Sequence, residues 1–359
     1  MRIAIVGCGA IGGYVGAKLA LAGEQITFIV RGANLEALRH RGLRLIPSDG
    51  PEQHLPEVAA TDDYHSAGAH DLVILAVKAH QLEAIAAEVP RLCGAATPVV
   101  TMQNGIPYWY FHRHGGELAG STVRSVDPHG LLARMIPAER VIGCVVYPAA
   151  ELVAPGIVRH IEGTRFPVGE LDGSRSERVL RISECFTRAG FKAPVLEDIR
   201  AEIWLKLWGN LTFNPISALT RATLADICQF APTRALAAAM MTEAQTIAEK
   251  LGVRFRVGLE QRIAGAERVG QHKTSMLQDV EAGRAPELEA LVGSVVELGQ
   301  LTRTHTPHID AVYALARLLL RTVAAPAQER TGAPHGPAAH VVASGAQGPS
   351  PVAWAEGVR

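Results

Sequence analysis

A run of branched apolar residues, Ile3-Ala4-Ile5-Val6, passes directly into Gly7-Cys8-Gly9-Ala10-Ile11-Gly12, and a helical stretch from Tyr14 to Ala22 follows. A short apolar run of this kind suits a strand buried on both faces of a parallel sheet. Gly7 permits the tight turn, Gly9 lets backbone approach a pyrophosphate, and Gly12 lets helix and strand pack closely. The first N–H groups of the helix, and its positive dipole end, suit phosphates. Three glycines at these spacings mean little in a loop. Between a strand and a helix they commit the chain to an α/β start that holds a dinucleotide on residues 7–12.

The next strand runs from Gln25 to Val30. An NAD-binding unit carries Asp or Glu at this strand's end, to hold the ribose hydroxyls. Here the residue is Arg31, and a guanidinium suits a 2′-phosphate, so the cofactor expected is NADP(H); the alternative is a plain surface arginine and NAD. Asn34 is placed to cap the following helix. Asp71 to Val77 reads as a central strand ending at Lys78, with a helix from His80 to Val89 after it. Thr97 to Met102 reads as another, ending in Gln103-Asn104-Gly105. Ligands of open α/β sheets sit beyond the carboxyl ends of strands, which singles out Lys78 and Asn104. Residues 106–139 give little signal. Their aromatic cluster, Tyr108-Trp109-Tyr110-Phe111, suits packing under a loop better than ligand binding. Arg140–Tyr147, Gly156–Glu162 and Phe166–Gly169 are strand-like, and Ser174–Ala189 is helical.

The stretch Glu202 to Pro215, EIWLKLWGNLTFNP, is apolar enough to be buried, yet Lys206, Asn210 and Asn214 recur in it every four residues. At about 100° per residue these three side chains form one drifting row on one helix face. A cation and two carboxamides in apolar surroundings need partners. The plain alternative is a solvated stripe in which Glu202 pairs with Lys206 one turn on. Asp198 is placed to cap the helix, and Pro215 should kink or end it.

Beyond Pro215 the pattern is helical throughout: 224–230, 233–251, 259–270, 286–302 and 307–323. Composition shifts at residues 190–197. The fold expected is therefore a Rossmann-like α/β domain with a mainly parallel sheet over 1–196, then an all-α domain over 197–323. Residues 324–359 are Ala-, Pro-, Gly- and Ser-rich and read as a disordered tail.

Lys+Arg and Asp+Glu are both 35, which argues against a nucleic-acid surface. Five scattered cysteines without a CxxC pair suit a reducing cytoplasm. No targeting segment and no apolar run of membrane length is evident. Fourteen histidines form no ligand set, so no metal is expected.

The chain resembles the ketopantoate reductases (2-dehydropantoate 2-reductases). The residues that carry the resemblance are GCGAIG at 7–12, Arg31, VKAHQ at 77–81, QNG at 103–105, EIWLKLWGNLTFNP, and KTSMLQD at 273–279 followed by Glu287. The resemblance implies reduction of 2-dehydropantoate to (R)-pantoate by NADPH, on the way to pantothenate and coenzyme A. It implies Lys206 as general acid and Glu287 as an acid beside that lysine and the cofactor. It implies Asn210 and Asn214 as substrate-binding amides and Ser275 as a carboxylate-binding group. Lys78 and Asn104 would line the nicotinamide end, with Asn104 also on the substrate. The stretch after Gly105 is longer than the family pattern, which leaves a different branched or bulky 2-keto acid open as substrate. A silent NADP(H)-binding sensor is the alternative from another class. The helical domain is the candidate surface for a homodimer.

Overall fold

A computed structural model describes residues 1–324; the tail expected from 324 onward lies outside the described residues apart from its first residue. The strands are β1 (Arg2–Val6), β2 (Gln25–Ile29), β3 (Leu43–Ile46), β4 (Gln53–Leu55), β5 (Ala59–Thr61), β6 (Leu72–Leu75), β7 (Val99–Thr101), β8 (Val141–Cys144), β9 (Ala149–Ala154), β10 (Ile157–Glu162) and β11 (Val168–Gly169). Helices α1 (Ala10–Leu21), α2 (Ala33–Arg41), α3 (Tyr64–Ala67), α4 (Leu131–Met135) and α5 (Glu177–Arg188) accompany them. Then follow α6 (Ile199–Thr220), α7 (Leu224–Gln229), α8 (Ala231–Lys250), α9 (Leu259–Val269), α10 (Ser275–Glu281), α11 (Ser294–Leu301) and α12 (Pro307–Ala324).

The large sheet has the order β11-β8-β7-β6-β1-β2-β5 and is parallel except for the edge strand β11. Ile3–Val6 and Leu72–Leu75 are fully buried, as continuous apolar runs in a doubly covered sheet must be. A second, four-stranded sheet, β4-β3-β10-β9, covers α1 from the other side. After β8 and β11 the described chain contains no further strand. The expected α/β-then-helical architecture is what the chain adopts. No helix among the described residues is long and apolar enough to cross a membrane.

Two apolar clusters hold this together. One lies between the large sheet, α1 and α5, built on residues such as Ile5, Phe28, Phe166 and Phe186. The other is continuous from the opposite sheet face (Val6, Val73) through Trp109 to Trp204, Met240 and Leu298 of the helical region. Residues 108–111 are part of it, with Tyr110 and Phe111 wholly buried. Arg200 donates to the carbonyl of Tyr110 at 2.8 Å, and Trp204 donates to the Tyr110 hydroxyl at 2.7 Å. The aromatic cluster thus packs and seats α6 on the sheet.

Local expectations fail in three places. Residues 79–92 form three short 3₁₀ turns, not a helix over 80–89. Asn34 does not cap α2, since Gly32 occupies the cap position. Its amide instead ties the Cys8 carbonyl (3.2 Å) to the Gly156 N–H (3.1 Å). Asp198 does cap α6, accepting from the Ala201 N–H at 2.9 Å. But α6 runs through Pro215 to Thr220. Every residue from Leu211 to Ala218 is buried. That burial outweighs the roughly 3 kcal/mol that an interior proline costs. Thr274, within the segment 273–279, caps α10 through the Leu277 N–H.

Candidate active site

The order of the large sheet reverses at β1. From there the chain winds to β2 on one side and to β6, β7 and β8 on the other. Beyond the carboxyl ends at such a reversal lies the ligand crevice of an open α/β sheet. The glycine turn sits there. Gly7 has φ +98°, and a Cβ on Gly12 would stand 1.9 Å from the Gly7 carbonyl, so both must be glycine. A Cβ on Gly9 would meet nothing within 4 Å, so the turn is open on that side. α1 starts at Ala10 and continues through Ile11, so its unbonded N–H groups lie at the turn. These residues fit a dinucleotide's pyrophosphate. Arg31 is exposed just past β2, and the Gly7 N–H bonds the Ile29 carbonyl at 2.9 Å, which keeps that strand end beside the turn.

The row predicted on α6 faces these strand ends. The Lys206 ammonium donates to Asn104 Oδ1 at 2.5 Å and also to the Val146 carbonyl. Asn104 Nδ2 donates to Glu287 Oε2 at 3.0 Å, and Glu287 Oε1 accepts from the Ala79 N–H at 2.9 Å. An ammonium only donates and a carboxylate only accepts, so this chain admits one orientation of the Asn104 amide. Glu202 does not pair with Lys206. It accepts from the Tyr147 hydroxyl at 2.7 Å and from Arg165.

Glu287 is held by an irregular helix. Residues Glu289–Gly293 form a π-turn. Such turns cluster at functional sites because they redirect backbone groups. Here the Ala290 carbonyl accepts from the Ile106 N–H at 3.0 Å and from the Ser294 hydroxyl at 2.7 Å. Gly105 has φ +88°, and a Cβ on it would lie 2.1 Å from that carbonyl. The glycine of QNG is thus required by the approach of the segment that carries Glu287.

Burial lowers the pKa of Lys206 from 10.5 to about 8, against the opposing pull of Glu287 and Cys144. The Cys144 thiol is itself pushed up to about 12 by burial, so it carries no charge near neutral pH. Glu287 is therefore the group that sustains the ammonium. A narrow cleft, open to solvent, runs along Gln103, Asn104, Trp109, Cys144, Lys206 and Asn210. Asn214 is buried and reaches the Ser275 hydroxyl at 3.5 Å, at the first residue of α10. Lys78 pairs with Asp279 at 2.5 Å, and Asp279 also takes Arg284 at 3.1 Å. So Lys206, Glu287, Asn104 and Asn210 come together, Asn214 and Ser275 form a second pair, and Lys78 is drawn to the helical region.

Sequence reasoning missed Tyr147, the Val146 carbonyl and Asp279. Tyr147 ends a strand-like run as Lys78 and Asn104 do, so the strand-end rule points to it. Asp279 stands inside the KTSMLQD segment.

A crevice shaped for a dinucleotide, faced by an enclosed ammonium that can give up a proton, is the layout of a nicotinamide-dependent oxidoreductase. The family model described as Ketopantoate reductase PanE/ApbA matches residues 3–173, and its C-terminal companion matches 198–319. The chain belongs to this family. It is 56% identical over 320 residues to a 2-dehydropantoate 2-reductase of Mesorhizobium japonicum, covering 89% of this chain and 98% of that one. A solved structure of a candidate ketopantoate reductase from Ralstonia solanacearum superposes with TM-score 0.85 at 46% identity, covering 89% and 98% of the two chains. The fold is shared with a D-mandelate dehydrogenase solved with NADH and anilino(oxo)acetate, at TM-score 0.77, 20% identity and coverage of 90% and 99%.

Proposed function

We propose that the protein reduces 2-dehydropantoate to (R)-pantoate with NADPH, in the pathway to pantothenate. The observation that carries this reading is the chain Lys206–Asn104–Glu287 across the strand ends. When bound, the nicotinamide supplies the hydride. Gly7, Cys8, Gly9, Ala10, Ile11 and Gly12 hold the pyrophosphate, and Arg31 takes the 2′-phosphate. Lys78 and Glu287 border the cofactor's reactive end. Lys206 stabilises charge growing on the ketone oxygen and gives it a proton. Asn104 and Glu287 fix the position of the ammonium. Asn210, Asn214 and Ser275 orient the keto acid, with Ser275 on its carboxylate.

We assign residues 1–196 mainly to the cofactor and 197–323 mainly to the substrate, with Asn104 and Glu287 meeting across the division. We also assign the protein to the cytoplasm, in keeping with five unpaired cysteines. Leu315 and Leu318 of α12 are each 56% exposed, and with Ala311 and Ala314 they make an apolar stripe for a second copy. Sedimentation of the purified chain as a monomer would refute that assembly.

The test of function is NADPH oxidation with 2-dehydropantoate, beside Lys206→Ala and beside NADH. Turnover falling by about 100-fold or more in the variant is expected. Turnover of only a different 2-keto acid would keep the mechanism and change the substrate. NADPH binding without any turnover would refute the reductase.

A further inference from the structure

Three residues beyond Lys206, helix α6 carries Gly209. A glycine inside a helix is unfavourable relative to alanine, so a buried one calls for a neighbour that needs the space. The neighbour is Arg262 of α9. A Cβ on residue 209 would stand 2.3 Å from one of its terminal nitrogens and 3.0 Å from its guanidinium carbon. One end of the guanidinium occupies the space where a side chain on α6 would begin. Residues three apart on a helix are surface neighbours, so it sits beside the row that holds Lys206.

Arg262 is unlike the other arginines near this face. Arg165 lies over the Tyr147 ring, at 4.9 Å, and Glu202 neutralises it. Among the described residues Arg262 has neither a hydrogen-bond acceptor nor a carboxylate within ion-pair distance. Burial pushes its pKa below the ordinary value, and the Tyr147 phenol is the one group that opposes this. A half-buried guanidinium with five donors and no acceptor is a costly arrangement unless something else supplies the oxygen. Tyr147, near enough for its charge to act on Arg262, borders the reaction centre. The ring of Tyr147 lies 6.0 Å from the Lys206 ammonium, and the preceding carbonyl, that of Val146, accepts from that ammonium.

We propose that Arg262, seated on Gly209, is a specificity-determining residue that binds an oxygen at the far end of the 2-keto acid, beyond C3. In 2-dehydropantoate that oxygen is the 4-hydroxyl; in a longer 2-keto acid a second carboxylate meets the same chemistry. The inference rests on the reductase reading and deepens it. A site built to hydrogen-bond a substrate oxygen rejects the analogue that lacks it, because its own polar group is left unpaired.

The experiment compares 2-dehydropantoate with 3,3-dimethyl-2-oxobutanoate, the same skeleton without the hydroxyl. A 2-keto diacid is the third substrate. The unmodified protein and Arg262→Met, Arg262→Lys and Gly209→Ala are assayed, with NADPH affinity and melting temperature recorded. The unmodified protein should prefer 2-dehydropantoate or the diacid over the analogue by at least about 100-fold. Arg262→Met should lose most of that preference through KM, leaving the analogue within about threefold. Arg262→Lys should recover part of it. Gly209→Ala favours the helix, so a merely structural Arg262 predicts little change. Displacement of the guanidinium from its seat predicts the same selective loss as Arg262→Met. Preference for the diacid would name a carboxylate as the partner, and preference for 2-dehydropantoate a hydroxyl. Equal losses on all substrates, or none, would overturn the proposal and leave the reductase standing. No reduction of any substrate by the unmodified protein would overturn both.

Discussion

Lys206 shows how one residue's surroundings set its chemistry. Burial takes its pKa from 10.5 to about 8, and Glu287 opposes this more than Cys144 does. Reduction needs the ammonium form. Its rate should therefore be level below about pH 8 and fall as pH rises through that value, approaching tenfold per unit. Oxidation of the alcohol needs the free amine and should show the opposite trend. Glu287→Gln removes the charge that raises the pKa, so the same fall should move to lower pH. A pH series of kcat for the two proteins checks this; an unmoved limb would separate Glu287 from the lysine. The row of Lys206, Asn210 and Asn214 was legible because burial and polarity conflict in one stretch. Their partners were not. Asn104 and Glu287 lie 102 residues before and 81 after Lys206 (206 − 104 and 287 − 206), and one chain carries no record of which strand end a helix will face. The same limit hid Arg262, an ordinary surface residue until Gly209 is seen beneath it.

Among the elements, long periodic or continuously apolar segments were readable and short ones were not. β1 and β6 announce themselves by unbroken apolar runs, and α6, α8, α9 and α12 by length. β3, β4 and β5 have three or four residues each, mixed in polarity, and gain their order from neighbours in space. Residues 79–92 carry helix-forming side chains, yet they become 3₁₀ turns. There the Lys78 backbone is bound by Gln81 and the Ala79 N–H by Glu287. Pro215 shows the reverse, a strong local stop overridden by packing. The π-turn at Glu289–Gly293 was beyond any local rule, since it exists to meet Gly105. Gly105→Ala should consequently do two things. A side chain at φ +88° and 2.1 Å from the Ala290 carbonyl forces the two segments apart. That should destabilise the fold by about 1–3 kcal/mol. It should also lower kcat by pulling Asn104 from between Lys206 and Glu287. NADPH affinity should change little, since the glycine turn after β1 is untouched. Denaturant melts beside kcat and NADPH titration check this; full kcat in a destabilised variant would show that the π-turn is structural only.

At the scale of the whole molecule, the sheet half and the helical half are not independently closed. One apolar cluster runs from Val6 and Val73 in the sheet through Trp204 on α6 to Leu298 on α11. Cutting the chain near residue 196 would expose this cluster on both pieces. Polar links then cross the mouth of the crevice: Lys78 to Asp279, the Ala79 N–H to Glu287, and Asn104 to Glu287. The sequence suggests two domains because composition changes at residues 190–197. That stretch, however, still pairs with the sheet half, with Lys192 beside Arg165 and Val195 beside Val168. Shared burial of this kind couples the halves, because neither can lose its packing without stranding the other's. Heating should accordingly unfold residues 1–324 in one calorimetric transition whose van't Hoff and calorimetric enthalpies agree. NADPH at about 100 times its Kd should raise the stability of the whole by about 2.7 kcal/mol, as a ligand of the native state only. Two resolved transitions, with NADPH shifting one and leaving the other in place, would mean that the continuous core does not couple the halves. In that case the crevice is held together by polar links alone.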